Sequence, residues 1–462
     1  MTAHTDTASL SLASPRTPDG LRGLPPGPWL PDLLALRSLR YGRDPIGLLH
    51  RYARQYGDPF TMSLLGSKWL ITGHPEYLRE IFTADPDVFE SSGERLLLPL
   101  VGRHSVLLSS GAVHRRKRKL LLPPFHGARM RTYGELIRDE ALEMAATWRP
   151  GLRIDMLAVA QTLSLDVIIR VVFGVQEPER VAHFREVITA SVNAFVPALL
   201  LVPALQRELF GLGPWSRFRQ RRDALMALLR HEIRSRRALP RGEDILSLLL
   251  DARDEDGELM SDDELVDELR TLLIGGYETT AIAMAWAFYE LLRPSAAAVL
   301  GRLLDELAPL GPAPAPEDLA RHPYLGAVCD EVLRLHPLAA MTVRRTHRPY
   351  VLKDLALPAG MHIGIAFPLA HLDESLYPEP RRFRPERFLE RKYTPFEFFP
   401  FGGGARRCMG AALAGYEMRI MLGGILTRHR LRLADERPVV TEFRGLTLGP
   451  RGGIQLVYDG VR

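Results

Sequence analysis

Cysteine is nearly absent. The 462 residues hold two, Cys329 and Cys408, too few for a disulfide framework and in keeping with a reducing compartment. An excess of one charge is lacking too. Lys and Arg number 60 against 55 Asp and Glu, and a net charge of +5 over this length does not point to nucleic acid. The chain does not open on a basic stretch followed by an apolar one, which argues against a secretory signal. No run of 18 or more apolar residues offers a membrane span; the longest candidate, Ala194 to Leu205, is broken by Pro197 and Pro203. These absences predict a soluble, cytoplasmic protein with no transmembrane anchor and no nucleic-acid partner. Its 46% of hydrophobic residues can build a large core.

With cysteine so scarce, the setting of Cys408 matters. It lies in Phe401-Gly402-Gly403-Gly404-Ala405-Arg406-Arg407-Cys408-Met409-Gly410, just before an apolar run of helical character. Glycines let a backbone turn tightly and approach a flat ligand. A cysteine at a helix start beside arginine is expected to hold its proton weakly, and the thiolate is the metal-binding form. One thiolate cannot build the usual zinc or iron–sulfur site, but it can supply the single axial ligand of a haem. Two plainer readings stand beside this one. A lone cysteine is more often a small buried hydrophobe. A glycine turn at a helix N-terminus can cradle phosphate, although no Lys-Ser/Thr follows here as in a P-loop.

The spacing of Phe401, Gly404, Arg406, Cys408 and Gly410 resembles the haem-binding signature of the cytochrome P450 monooxygenases. Four more stretches share the resemblance. Ser261 to Arg293 has a helical period, opens on the capping box Ser261-Asp262-Asp263-Glu264 and is stopped by Pro294. Its middle reads Gly275-Gly276-Tyr277-Glu278-Thr279-Thr280, similar to the family's oxygen-activation motif. Glycine inside a helix costs about 1 kcal/mol; a notch against a flat ligand would offset that, and so would helix packing. Glu331-Val332-Leu333-Arg334, with Phe383-Arg384-Pro385-Glu386-Arg387-Phe388, looks like the family's Glu–Arg–Arg network of Glu331, Arg334 and Arg387. Taken alone, an acid–base pair at i,i+3 is ordinary on a helix surface. His114-Arg115-Arg116-Lys117-Arg118-Lys119 looks like the family's propionate-clamping helix, with His114 and Arg118 on one face. A basic run is otherwise a solvated face or a nucleic-acid patch.

The resemblance extends from Leu24 to the C-terminus. It implies a mainly α fold with small β-sheets, the cytochrome P450 fold, with haem b between the long central helix and the cysteine loop. Residues 23–462 would form one domain after a disordered tail, 1–22. The implied enzyme is a haem-thiolate monooxygenase that inserts one atom of O2 by hydroxylation or epoxidation. Cys408 would ligate the iron, and Glu278 and Thr279 would be catalytic. His114, Arg118, Gly275, Arg344, Phe401, Gly402, Arg406 and Gly410 would surround the cofactor, with Arg345 in reserve for Arg344. Leu97, Leu98, Ala339, Ala340, Met341 and Thr342 would border the substrate. The apolar, proline-interrupted Val187–Val202 would form a lid and suit a lipophilic terpenoid, fatty acid, steroid or polyketide. Arg115, Arg116, Lys117, Lys119 and Arg407 would dock an acidic, ferredoxin-type electron donor. The alternatives are a peroxygenase or isomerase on the same loop, a non-catalytic haem sensor, and a haem-free helical binding protein. The local pattern also predicts strands at Phe60–Leu64 and Trp69–Thr72 and a helix from Pro75 through Ile81. It predicts a terminal hairpin of Gly445–Leu448 with Ile454–Val457 across Pro450-Arg451-Gly452-Gly453. Residues 93–110 show no clean period.

Overall fold

The computed structural model describes residues 22–28, 32, 36–64, 66–125, 127, 129–195, 199, 206, 207, 211, 213–240 and 242–462, without the side chains of 95 and 96. Nearly all of the expected N-terminal tail, and most of the expected lid beyond residue 195, lie outside the described residues. The chain divides into two compact units, Met1–Ser92 with Met341–Ala370, and Gly93–Ala340 with His371–Arg462.

The first unit is built on a five-stranded sheet in the order Phe60–Leu64, Ser67–Thr72, His362–Ala366, Met341–Thr346, Phe89–Glu90. Phe60, Met62 and Leu64 are buried while Thr61 and Ser63 are not fully so, the alternation of a strand with one packed face. The helix Pro75–Thr83 starts at the proline expected there, and the His74 side chain accepts from the Glu76 N–H.

The second unit is organised around the helix Asp262–Leu292. Its capping box is formed: Ser261 Oγ accepts from Glu264 N at 3.2 Å, and Ser261 N donates to Glu264 Oε2 at 3.0 Å. Every residue from Thr280 to Leu291 is buried, as expected of a helix apolar on all sides. It packs against the helix Met156–Phe173. That second helix is long and apolar enough to cross a membrane by composition, with mean hydropathy 1.8. Asp166 and Arg170 interrupt its apolar run. Here it is a core helix, 72% of it buried, with Asp166 paired to Arg185 at 2.5 Å.

Two stretches differ from expectation. Within 93–110 there is a helix, Glu94–Val101, and polar side chains of the central helix hold the whole segment. Arg270 Nη2 donates to Pro99 O at 2.8 Å, Asp267 accepts from His104 N at 3.0 Å, and Glu268 from Val106 N at 3.1 Å. Anchoring of this kind leaves no apolar period to read. The terminal hairpin is also drawn from other strands. Thr447–Pro450 pairs with Thr441–Arg444, while Gln455–Val461 lies between Arg153–Asp155 and His429–Leu433. Gly445, at φ +59°, makes the tight turn earlier than the Pro-Arg-Gly-Gly signal, and Gly452 and Gly453, both at φ +73°, carry the chain to the other sheet.

One buried acid gives the fold a pH dependence. Glu417, on the helix Ala411–Arg428, is 1% exposed and accepts from Ser164 Oγ at 2.5 Å. Burial pushes its carboxyl from 4.5 up to about 8. A raised folded-state value means the folded chain holds a proton that the unfolded chain releases. The stability this group contributes is therefore complete below about pH 4.5 and lost as the pH rises through about 8. Glu417→Gln keeps the shape without the titration. Its stability relative to the parent should rise between those two pH values and level off above them, as read from denaturant midpoints across pH. A constant difference would mean that Glu417 does not titrate in that window.

Candidate active site

The loop before Ala411 is shaped by two left-handed glycines, Gly402 at φ +68° and Gly404 at φ +64°. Gly402 N donates to Phe399 O at 2.8 Å, and Cys408 N to Phe401 O at 2.9 Å. Gly410 follows, and its carbonyl accepts from Ala414 N at 2.8 Å. Phe401 and Met409 pack on the main core, through which the central helix runs. Cys408 is accessible to solvent, yet its thiol is set deep enough that burial pushes it above the ordinary range. The N–H groups of Gly410 and Ala411, with Arg407 and Arg118, pull the other way without prevailing. The weakly held proton expected from sequence is therefore not a property of the polypeptide alone; a metal ion deprotonates a coordinated thiol outright.

Two arginines tie this loop to the basic helix Gly111–Leu121. Arg406 Nη2 donates to Ser109 O at 2.8 Å and Ser110 Oγ at 3.1 Å, and Arg118 Nη1 donates to Arg407 O at 2.8 Å. Burial holds both guanidiniums below their usual value. Partly desolvated cations of this kind suit anionic groups such as haem propionates. His114 is buried on the same helix. Of the rest of the basic run, Arg115 and Lys119 are exposed, and three residues are engaged in ion pairs. Arg116 pairs with Asp254 at 2.5 Å and Glu264 at 3.1 Å, buried Lys117 with Glu268 at 3.1 Å, and Lys119 with Glu255 at 2.5 Å. Exposed Arg407 lies outside those pairs.

The central helix is accessible in its middle. Its two glycines have different causes. A Cβ on Gly276 would lie 2.8 Å from Ile168 Cδ1, so packing requires that glycine; a Cβ on exposed Gly275 would meet nothing within 4 Å. Thr279 Oγ1 donates to Gly275 O at 2.8 Å, and Thr280 Oγ1 to Gly276 O at 3.1 Å. Glu278 is half-buried; burial pushes its carboxyl up, and Arg444 draws it part of the way back. Arg444 carries no signal in the sequence motifs, and only the fold brings it near.

The Glu–Arg–Arg residues are brought together. Arg334 Nε and Nη2 donate to the two Glu331 oxygens at 2.7 and 2.8 Å, and Arg387 Nε donates to Glu331 Oε1 at 3.1 Å. Arg334 Nη1 also donates to His371 O at 2.7 Å and Pro380 O at 2.8 Å. His371 Nε2 in turn accepts from Phe399 N at 3.1 Å, at the entrance to the cysteine loop. Burial lowers His371 to about 3, so it stays neutral and can accept.

Of the expected substrate residues, Leu97 packs on an apolar cluster of Leu100, Val101, Phe195, Leu199 and Phe218, with Ile274 and Leu446. Leu98 is 39% exposed and outside that cluster. Ala339 and Ala340 end their stretch of the second unit, whereas Met341, Thr342 and Arg344 belong to the first. There Arg344 is buried and donates to Val343 O at 3.0 Å and Thr342 Oγ1 at 3.3 Å. Arg345, the expected reserve, is committed to Glu90 at 2.6 Å.

Among the described residues, no three His, Cys, Asp or Glu side chains are grouped to hold a metal ion. A metal bound by Cys408 must bring its other ligands with it, as the iron of haem does. The open backbone at Gly275 and the part-buried Arg118 and Arg406 fit that group. A single accessible thiol beside a glycine turn, in a mainly helical protein, is what a haem-thiolate site requires. The cytochrome P450 family model matches residues 24–457, and the chain belongs to that family. It is 35% identical over 447 residues to putative cytochrome P450 135A1 of Mycobacterium tuberculosis, covering 94% of this chain and 95% of the relative. To putative cytochrome P450 135B1 of Mycobacterium bovis it is 35% identical over 449 residues, covering 95% and 92%. Among solved structures, retinoic acid bound cyanobacterial CYP120A1 has a TM-score of 0.82 at 24% identity, covering 94% of this chain and 99% of that one. The cytochrome P450DA heme domain has a TM-score of 0.83 at 22% identity, covering 96% and 98%. The chain is thus a haem b enzyme, a P450 monooxygenase.

Proposed function

We propose that this enzyme hydroxylates or epoxidises a lipophilic small molecule in the cytoplasm, with electrons from an acidic, ferredoxin-type protein and residues 23–462 acting as one domain. Haem b supplies the oxygen chemistry, in which one atom of O2 enters the substrate and the other leaves as water at the expense of two electrons and two protons. The polypeptide binds and orients the substrate and manages those protons. The observation that carries this reading is the part-buried Glu278–Thr279 pair beside exposed Gly275, on a helix fully buried from Thr280 to Leu291. Thr279 already donates its hydroxyl proton to Gly275 O, so its oxygen is presented as an acceptor. Glu278, inclined by burial towards its neutral form, can hold a proton within the same turn. A peroxygenase or an isomerase has no use for such a pair. The cluster around Phe195 and Phe218 supports an apolar substrate. With Arg116 and Lys119 engaged in ion pairs, donor docking falls on the cysteine-side surface around Arg407.

Thr279→Ala and Glu278→Gln test the reading. Both variants should keep the spectrum of the CO-bound reduced enzyme and their ligand affinity. Product formed per electron consumed should fall, for Glu278→Gln by on the order of 10²-fold, the scale of a positioned proton donor. Unchanged coupling in both variants would overturn the assignment.

A further inference from the structure

We propose that Arg444 binds an anionic group of the substrate, so that the ligand of this site is a lipophilic carboxylic acid. The proposal rests on the monooxygenase reading above and names the substrate class of that same site. Arg444 ends the strand Thr441–Arg444, beside the turn Gly445–Leu446. A Cβ on Gly449, across the hairpin, would lie 2.7 Å from Arg444 Cδ and 3.3 Å from Ile282 Cδ1. The arginine stem and Ile282 of the central helix therefore flank the same glycine, and Ile282 shares a face with Glu278 one turn earlier. The head group is what sets this residue apart. Its Nε is buried without an acceptor, and among the described residues none of its guanidinium N–H groups has a hydrogen-bond or ion-pair partner. Glu442, on the same strand, is engaged with Arg451 at 2.8 Å. The buried guanidiniums of Arg334 and Arg387, by contrast, each donate to Glu331, although Arg387 Nη2 is also left without an acceptor. Leaving the buried Nε–H without an acceptor is unfavourable, and the guanidinium fork matches a carboxylate bidentately.

Close by, Leu446 packs against the apolar cluster that holds Phe195 and Phe218, as does Ile274. One hairpin thus offers an apolar wall and an unsatisfied cation, the complement of an amphipathic acid. Glu278 is the charged neighbour of the same guanidinium, and burial pushes its carboxyl up while Arg444 draws it part of the way back. A neutral lipid would leave the Arg444 donors unpaired.

The test is calorimetric titration of the haem-loaded enzyme with matched acid and alcohol pairs on straight-chain, aromatic and polycyclic skeletons. In at least one pair the acid should bind about 10- to 100-fold tighter than its alcohol, the range of a charge-assisted hydrogen-bonded pair. Arg444→Leu should erase that preference and leave the alcohol affinity in place, while Arg444→Lys should keep part of it. No acid preference in any pair overturns the proposal. So does a preference that survives Arg444→Leu, or an equal loss of acid and alcohol in that variant. The CO-bound reduced spectrum is recorded for each protein. A parent without the thiolate band fails the haem reading itself; a parent with the band and no acid preference fails only this proposal.

Discussion

Cys408→Ser is expected to abolish the red-shifted Soret band of the reduced, CO-bound protein, and Cys329→Ser to leave it intact. Burial pushes both thiols up, but they differ in exposure and in charged surroundings. Cys329 is 2% exposed in the helix Pro323–Leu335, and burial pushes its thiol up to about 12. It can pack but has no route to an iron. Cys408 is accessible, receives the N–H groups of Gly410 and Ala411, and has Arg118 and Arg407 nearby to stabilise a thiolate once the proton is displaced. Serine preserves the size of the side chain but not the soft sulfur donor. The loss should therefore be complete in the thiolate band even where some haem is retained. Absorbance spectra and haem content per chain give the answer directly. A band that survives Cys408→Ser and disappears in Cys329→Ser would overturn the ligand assignment.

Much of this site is legible in the sequence alone. The features that sequence carried are local. A capping box, a proline at a helix start and a Gly-rich turn before a cysteine are each decided within a few residues, and Ser261, Pro75 and Gly402 all behave in the structure as local chemistry requires. What escaped is set by partners far along the chain. Lys117 reads as one more surface cation, yet it is buried against Glu268, 151 positions away. Gly275 and Gly276 look equivalent, and only the position of Ile168 separates a packing glycine from an open one. The terminal strands were recognisable but their pairing was not, because Gly445 and Gly453 are equally good turn formers and the choice depends on strands at 153–155 and 429–433. Arg444 belongs to the same group: nothing near it in sequence marks it as a neighbour of Glu278.

The other large effect is expected in the Glu331 network, and it should be asymmetric. Glu331 and Arg334 are both 0% exposed and Arg387 is 2% exposed. Two guanidiniums and the Arg384 N–H converge on one carboxylate, with the Arg384 bond at 2.9 Å. Removing one partner of a buried pair costs about 3–5 kcal/mol, because the other charge is left without compensation. That is a large share of the 5–15 kcal/mol that holds a typical fold together. Glu331→Gln should be the most damaging change, since it leaves two buried cations facing an amide. Arg334→Met should follow, losing two bonds to Glu331 and two to the carbonyls of His371 and Pro380. Arg387→Met should be mildest. Arg387 gives one bond to Glu331 and one to Pro378 O, and Arg334 still neutralises the carboxylate without it. Because His371 connects this network to Phe399, the first two variants should also lose haem more readily on dilution. Their coupling of electrons to product should stay normal in whatever holoenzyme survives, which separates bracing from proton delivery. Denaturant midpoints and haem-loss rates for the three variants test the order. Equal effects, or a mild Glu331→Gln, would show that the carboxylate is not the hub of the network.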